Sequence, residues 1–288
     1  PFLRDGKVSV SPVFEVEGDV SYKTGNIEFT GTVIIKGTVQ SGFTVKATDD
    51  IEIHGNIDKA YIEAGGDVRS RGGLYGANEG KIRAGGSVWI RSVDNGTIEA
   101  AHNIIISQQT RMSTLMAGED IVLNNMKGSI VGGKATAAHE FDVTNLGSNS
   151  FTETIIEIGM NPKIKKIRDE LEEKITSERN QLEKATAHIR SMKKKEQAGE
   201  TLTEKEQEVM KKLVPLYHKL KSSLETDNAK LSFMNEKLSK LVKGRARVRG
   251  TVSPGVKFYT LNASLAVKKE TTFSSFYEQD EKIVVSPY

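Results

Sequence analysis

The chain has 288 residues, 37% hydrophobic and 27% charged, with a formal net charge of +3 at pH 7 and no cysteine. Disulfides and thiolate metal sites are excluded, and a reducing compartment, the cytoplasm, is expected. No apolar run reaches the roughly 20 residues of a membrane span, and so small a charge excess does not call for nucleic acid.

The opening residues, Pro1 to Val8, lack the apolar stretch of a secretory signal. Because Pro1 is not an initiator methionine, the natural N-terminus is expected to lie upstream. Short apolar pairs punctuated by glycine begin at Gly18 and continue through Ile27–Phe29, Val33–Ile35, Gly37–Val39 and Gly55–Ile57. A stricter pattern then repeats six times, from Val45, Ile62, Ile82, Ile98, Leu115 and Ala135, at a mean spacing of 18 residues. Two positions on stands alanine every time: Ala47, Ala64, Ala84, Ala100, Ala117 and Ala137. Six positions on stands an apolar residue, and eight positions on another, except at Ser70. Alternation of this kind puts two short strands around a small corner, and its repetition stacks coils on one another. The fold class is therefore mainly β, a parallel β-helix (β-solenoid) of about seven to nine coils, roughly 35–45 Å long at one strand spacing per coil.

The corner carries small residues three positions into each register: Thr48, Gly65, Gly85, Ala101, Gly118 and Ala138. Five positions in come Asp50, Asp67, Ser87, Asn103, Asp120 and Glu140, mostly short side chains able to cap turn amides. Repeated glycine pairs do not precede a helix or a Lys-Ser/Thr, so they are turns and not nucleotide loops. Asp50 and Asp67 could approach the carboxylate spacing of a glycosidase, but their register is that of a cap. The five histidines are dispersed. His102 and His139 share a register two coils apart, about 10 Å, too far to share a small metal ion. No metal, cofactor or catalytic set is assigned. Trp89 is the only tryptophan and occupies an outward strand position, a candidate contact.

At Asn161-Pro162 the period changes to that of a capped helix. Ile164, Ile167, Leu171, Ile175, Glu178, Leu182, Ala185, Ile189 and Met192 follow three-four spacing. A second run, after a capping box of Thr203 with Glu206, holds Met210, Leu213, Tyr217, Leu220, Leu224, Asp227, Leu231, Met234, Leu238 and Leu241. Together they predict an inserted long antiparallel coiled-coil hairpin, with Pro215 bending or opening its second arm. Residues 161–244 carry 20 Lys/Arg against 14 Asp/Glu, whereas the rest of the chain has 21 against 24. Lys193, Lys194 and Lys195 fall near the tip, as solvated or protein-facing charge. Asp227 interrupts the apolar stripe, either as a compromise of register or as a polar gap where a protein partner docks, a candidate contact. A tip near residues 197–203 pairs positions whose numbers sum to about 400, so Lys174 is expected to reach Asp227 and keep it partly solvated. From Arg245 the alternation returns, adding one or two coils and covering an end. The domain reading is 1–160 β-helix, 161–244 hairpin and 245–288 return and end cap.

Gly31-Thr-Val-Ile-Ile-Lys-Gly-Thr-Val, Ala60-Tyr-Ile-Glu-Ala-Gly-Gly-Asp-Val, Lys81-Ile-Arg-Ala-Gly-Gly-Ser-Val, Gly128-Ser-Ile-Val-Gly-Gly-Lys and Thr251-Val-Ser-Pro-Gly-Val-Lys resemble the flagellar assembly protein A family. The resemblance spans nearly the whole chain. It implies a β-solenoid linked to bacterial flagellar assembly or placement, an additional N-terminal domain, and, for some members, binding of a phosphotransferase-system protein. It supplies no catalytic residues. The function expected is that of a non-enzymatic cytoplasmic scaffold that binds a protein partner, with self-association a further possibility. The alternative is a β-helix that binds or cleaves carbohydrate.

Overall fold

A computed structural model describes residues 2–4, 7–9, 12–123, 125–126, 128–198, 201–239 and 244–288. The alanine registers stack in parallel and without slippage. Val45 faces Ile62, which faces Ile82, then Ile98, Leu115 and Ala135. Ile27 precedes this ladder, and Ile156 and Phe258 extend it. The second strand of each coil makes an equivalent ladder from Val33 through Ile51, Val68, Val88, Ile104 and Ile121 to Phe141. Every residue in both ladders is buried, each large one contributing about 1.5–3 kcal/mol of hydrophobic stabilisation. The result is a solenoid of about eight turns.

Each coil also has a third strand, which the alternation did not reveal. It is two residues long in Ile57–Asp58, Leu74–Tyr75 and Val93–Asp94, and at Thr110 and Ile130 it runs on into the next first strand, within Gln109–Ala117 and Ser129–Ala137. One residue of each points inward, so Ile57, Leu74, Val93, Thr110, Ile130 and Leu146 form a third buried ladder.

The glycine pairs have separate jobs. A Cβ at Gly65 or Gly85 would run into the carbonyl oxygen of Thr48 or Gly65 in the preceding coil. One at Gly66 or Gly86 would meet the carboxylate of Asp50 or Asp67. The second glycine thus makes room for the earlier coil's acidic side chain.

After the helices, Arg245–Val252 and Val256–Tyr259 continue the coil in parallel. The strands that follow reverse direction: Ser264–Ala266, Thr271–Gln279 and Lys282–Pro287 each pair antiparallel. They close this end over a stacked Phe258–Phe276 pair with ring centroids 4.0 Å apart. In the first coil, Phe14 packs on Phe29 at 5.4 Å, and Tyr22 meets the ring of Phe43 edge-on.

The chain divides into two compact units, Pro1–Pro162 with Val242–Tyr288, and Lys163–Leu241. Gly159 and Gly244, which flank the second unit, are direct neighbours within the first, where a Cβ on Gly244 would strike the Gly159 backbone. The second unit consists of α1 (Pro162–Gln197) and α2 (Glu204–Ser239). Contacts at 174/227, 178/223 and 195/206 make the pair antiparallel. Ile175, Ala185, Leu220, Leu224 and Asp227 are buried, and the other described seam residues apart from Ile167 are half-buried. Ile167 departs from its expected place and is 56% exposed, while Ile164 and Leu171 are half-buried. The Leu238 side chain and Leu241 lie outside the described residues. α2 runs unbroken through Pro215. That residue is exposed, so the carbonyl it leaves without a donor can be satisfied by water.

Candidate functional site

Side chains that looked chemically active in the sequence are occupied by structural bonds. Asp50 Oδ1 accepts the amide of Asp67 at 2.7 Å, and Asp67 Oδ1 accepts that of Ser87 at 2.9 Å. Ser87 then serves Asn103, Asn103 serves Asp120, and Asp120 Oδ1 takes the Glu140 amide at 2.9 Å. The expected caps are present, but each acts on the following coil instead of its own turn. Arg69 donates to the second Asp67 oxygen at 2.6 Å.

The outer face of the first strands carries alternating charge in the sequence Lys46, Glu63, Arg83 and Glu99. Glu99 lies 2.5 Å from Lys81 and 2.9 Å from Arg83. Burial by itself would raise its pKa, but the two cations hold it below the usual carboxylate range. Glu157 is buried and satisfied by Lys134 and Thr136, both at 2.8 Å. His102 Nδ1 bonds Glu119 Oε1 at 2.8 Å and lowers the pKa of that carboxylate. Among the described residues, no His, Asp and Glu group is arranged to hold a metal ion.

Trp89 is half-buried on the outward side of its strand, in register with Arg69 and Ile105. The Arg69 guanidinium stands 4.6 Å above the ring centroid, a cation–π contact. The sequence held the signal for this partner, since Arg69 and Trp89 occupy the same register position in successive coils. The arginines after α2 are likewise engaged. Arg247 makes a two-pronged contact with Glu140, Arg249 pairs with Asp142 at 3.1 Å, and Arg245 covers Tyr277.

In the helical unit, Lys174 Nζ lies 2.6 Å from Asp227 Oδ2, as the residue sum anticipates. Lys230 reaches the other oxygen at 3.2 Å. Asp227 is only 2% exposed, so the expectation of a partly solvated carboxylate is corrected. Two lysine side chains cover it, each more than half exposed, so water reaches the cations and not the anion. Hydrogen bonds from Lys174, then Lys230, lower its pKa.

At the start of α2 the capping box forms: Glu206 Oε2 accepts from the Thr203 amide and hydroxyl, each at 2.9 Å. Lys195 joins it at 2.7 Å to Glu206 Oε1. These bonds, that from Lys195 foremost, bring the Glu206 pKa down to about 2. Lys193 and Lys194 are exposed on α1. Within the helical unit the lysine run and Asp227 are separate features, with Lys195 tied to the α2 cap and Asp227 to Lys174 and Lys230. An open trough of about 640 Å³ runs along α1, lined by Asp169, Glu172, Glu173, Thr176, Ser177 and Asn180. Arg168 pairs with two of its carboxylates, Asp169 at 3.3 Å and Glu172 at 3.6 Å.

No described helix is long and apolar enough to cross a membrane. No curated protein and no solved structure shows significant similarity to the chain. A family model, described as the Flagellar Assembly Protein A beta solenoid domain, matches residues 12–283. With nearly its whole length matched, and with the parallel coils that such a domain requires, the chain belongs to the flagellar assembly protein A β-solenoid family.

Proposed function

We propose that the protein is a non-enzymatic scaffold in flagellar assembly or placement, acting in the cytoplasm, with its helical unit contacting a protein partner. The observation that carries this reading is the use made of the acidic register. Asp50, Asp67 and Asp120 each give an oxygen to the amide of the next coil, so the residues best spaced for catalysis are holding coils together. Carbohydrate recognition has less support, because the Trp89 ring that would stack on a sugar already carries Arg69. A phosphotransferase-system protein is one partner candidate from the family resemblance, and self-association is another mode of assembly for such a scaffold.

The test compares the full chain with a variant in which residues 161–244 are replaced by a short Gly/Ser linker. The Gly159–Gly244 contact supports such a splice, since the chain enters and leaves the replaced segment at adjacent points. The variant should keep the strand signature in circular dichroism and lose at least one partner in affinity capture from native cytoplasm. Identical partner sets at equal protein levels would remove the helical unit from the binding role. Turnover of glycan by the purified chain would overturn the non-enzymatic reading.

A further inference from the structure

One flank of α2 carries a pattern that the helix pair does not use. Lys205, Val209, Lys212, Leu216 and Lys219 follow in steps of four and three residues, so they form a single stripe along the helix. All five are exposed, Val209 to 44% and Leu216 to 41%. The seam toward α1 runs beside them through Met210, Leu213, Tyr217 and Leu220, which are less exposed. One step further the stripe reaches Ser223, whose hydroxyl donates to Glu178 of α1 at 3.0 Å. The flank meets α1 at Ser223 and faces solvent before it.

The outward side of a two-helix pair is ordinarily polar; here apolar and cationic side chains alternate at heptad spacing. Lys212 also holds Glu208 at 3.2 Å, with both side chains more than two-thirds exposed, which is a weak constraint. We infer that this stripe docks a third helix, one that is amphipathic and acidic. Its apolar side chains would meet Val209 and Leu216, and its carboxylates would meet Lys205, Lys212 and Lys219. Seven helical residues advance about 10.5 Å, which matches another helix and not the roughly 7 Å repeat of a strand face. The charge selects the sign: two copies pairing stripe to stripe would set lysines against lysines, an arrangement that disfavours pairing. Two apolar side chains are also a narrow footing for a lipid surface, which takes a broad apolar face. This inference rests on the reading that the helical unit contacts a protein, and it specifies the stripe and the partner's chemistry.

The test uses the full chain and a fluorescent synthetic helix of about three heptads, with leucine at the first and fourth positions and glutamate at the flanks. Anisotropy should report binding that weakens as salt rises. Val209→Ser with Leu216→Ser should weaken it by at least about tenfold. Lys205→Glu, Lys212→Glu and Lys219→Glu together should abolish binding of this peptide and create binding of its lysine-flanked counterpart. The substituted side chains are exposed, so helicity should be retained; Leu216→Ala, a milder change, replaces any variant that loses it. Failure of the native chain to bind, or equal binding by native and substituted chains, would overturn the inference. So would a dimer in sedimentation that Leu216→Ser dissociates, or binding to phosphatidylserine vesicles in place of the peptide. If linker replacement of residues 161–244 costs a partner but the stripe variants keep every partner and the peptide, the stripe fails while the broader contact reading stands. If replacement costs no partner while the native chain binds the peptide in a stripe-dependent way, the broader reading fails and the stripe stands.

Discussion

Along the solenoid a side chain's surroundings repeat from one coil to the next. Ile82 lies between Ile62 and Ile98, and Ala84 between Ala64 and Ala100. Along α1 and α2 they do not: Ile175 is buried, Ile167 is 56% exposed, and a carboxylate sits in the seam at Asp227. Repetition makes the solenoid over-determined, because one misplaced residue disturbs a rung above and a rung below. The helix pair has a narrow interface and tolerates local exceptions. A core change should therefore cost much in the first unit, whereas in the second a polar-to-apolar change should even help.

The sharpest test of that contrast is Ile98→Ala. Ile98 is fully buried between Ile82 and Leu115, and its loss should cost about 2–5 kcal/mol in denaturant titration. A midpoint within error of the parent would mean that the coils relax around cavities and are not over-determined. Ala117→Leu tests the opposite insult. With Ala100 and Ala137 on either side and no exposure, the added bulk should cost about 1–3 kcal/mol. An unchanged midpoint would place the alanine ladder outside the core.

In the helical unit, Asp227→Leu should raise the thermal midpoint of the helix signal at 222 nm. Lys174 and Lys230 are already well solvated and are not stranded by losing the carboxylate, while leucine extends the seam. A lower midpoint would show the ion pairs to be a net support. The smallest of these effects is in pH. Glu206 titrates at about 2 in the folded chain, below the roughly 4.3 of an unfolded glutamate. Its contribution is therefore complete above the unfolded value and is lost as pH falls through the folded one. The carboxyl carbon of Glu206 should show that low midpoint by NMR and move upward in Lys195→Ala; an ordinary midpoint in the parent would remove the Lys195 link.

The ladders through Val45 and Ile51 were legible because three- and four-residue strands display alternation. The third was not, because a strand such as Leu74–Tyr75 offers a single inward residue, and at Thr110 even that residue is polar. The reversal after Tyr259 was likewise hidden, since alternation carries no strand direction. In the helices, spacing and the residue sum sufficed to bring Lys174 to Asp227. They did not foresee Lys230 as a second cover, although it lies three residues along α2. The caps were identifiable as hydrogen-bonding residues, but their targets were not, because an aspartate that serves its own turn and one that serves the next coil look alike in one dimension.

That last detail gives the molecule a grain. In every rung from Asp50 to Glu140 the acceptor lies in the earlier coil and the donor amide in the later one. On a chain emerging N-terminus first, each coil leaves behind a waiting acceptor, and the next is seated like a brick on a bedded course. The thinnest mortar is at Ser87, whose hydroxyl meets the Asn103 amide at 3.2 Å, where the aspartates meet theirs at 2.7–2.9 Å. The Asn103 amide should accordingly exchange its hydrogen before that of Asp67, and the Asp120 amide, held at 3.1 Å by another neutral acceptor, Asn103, should follow it.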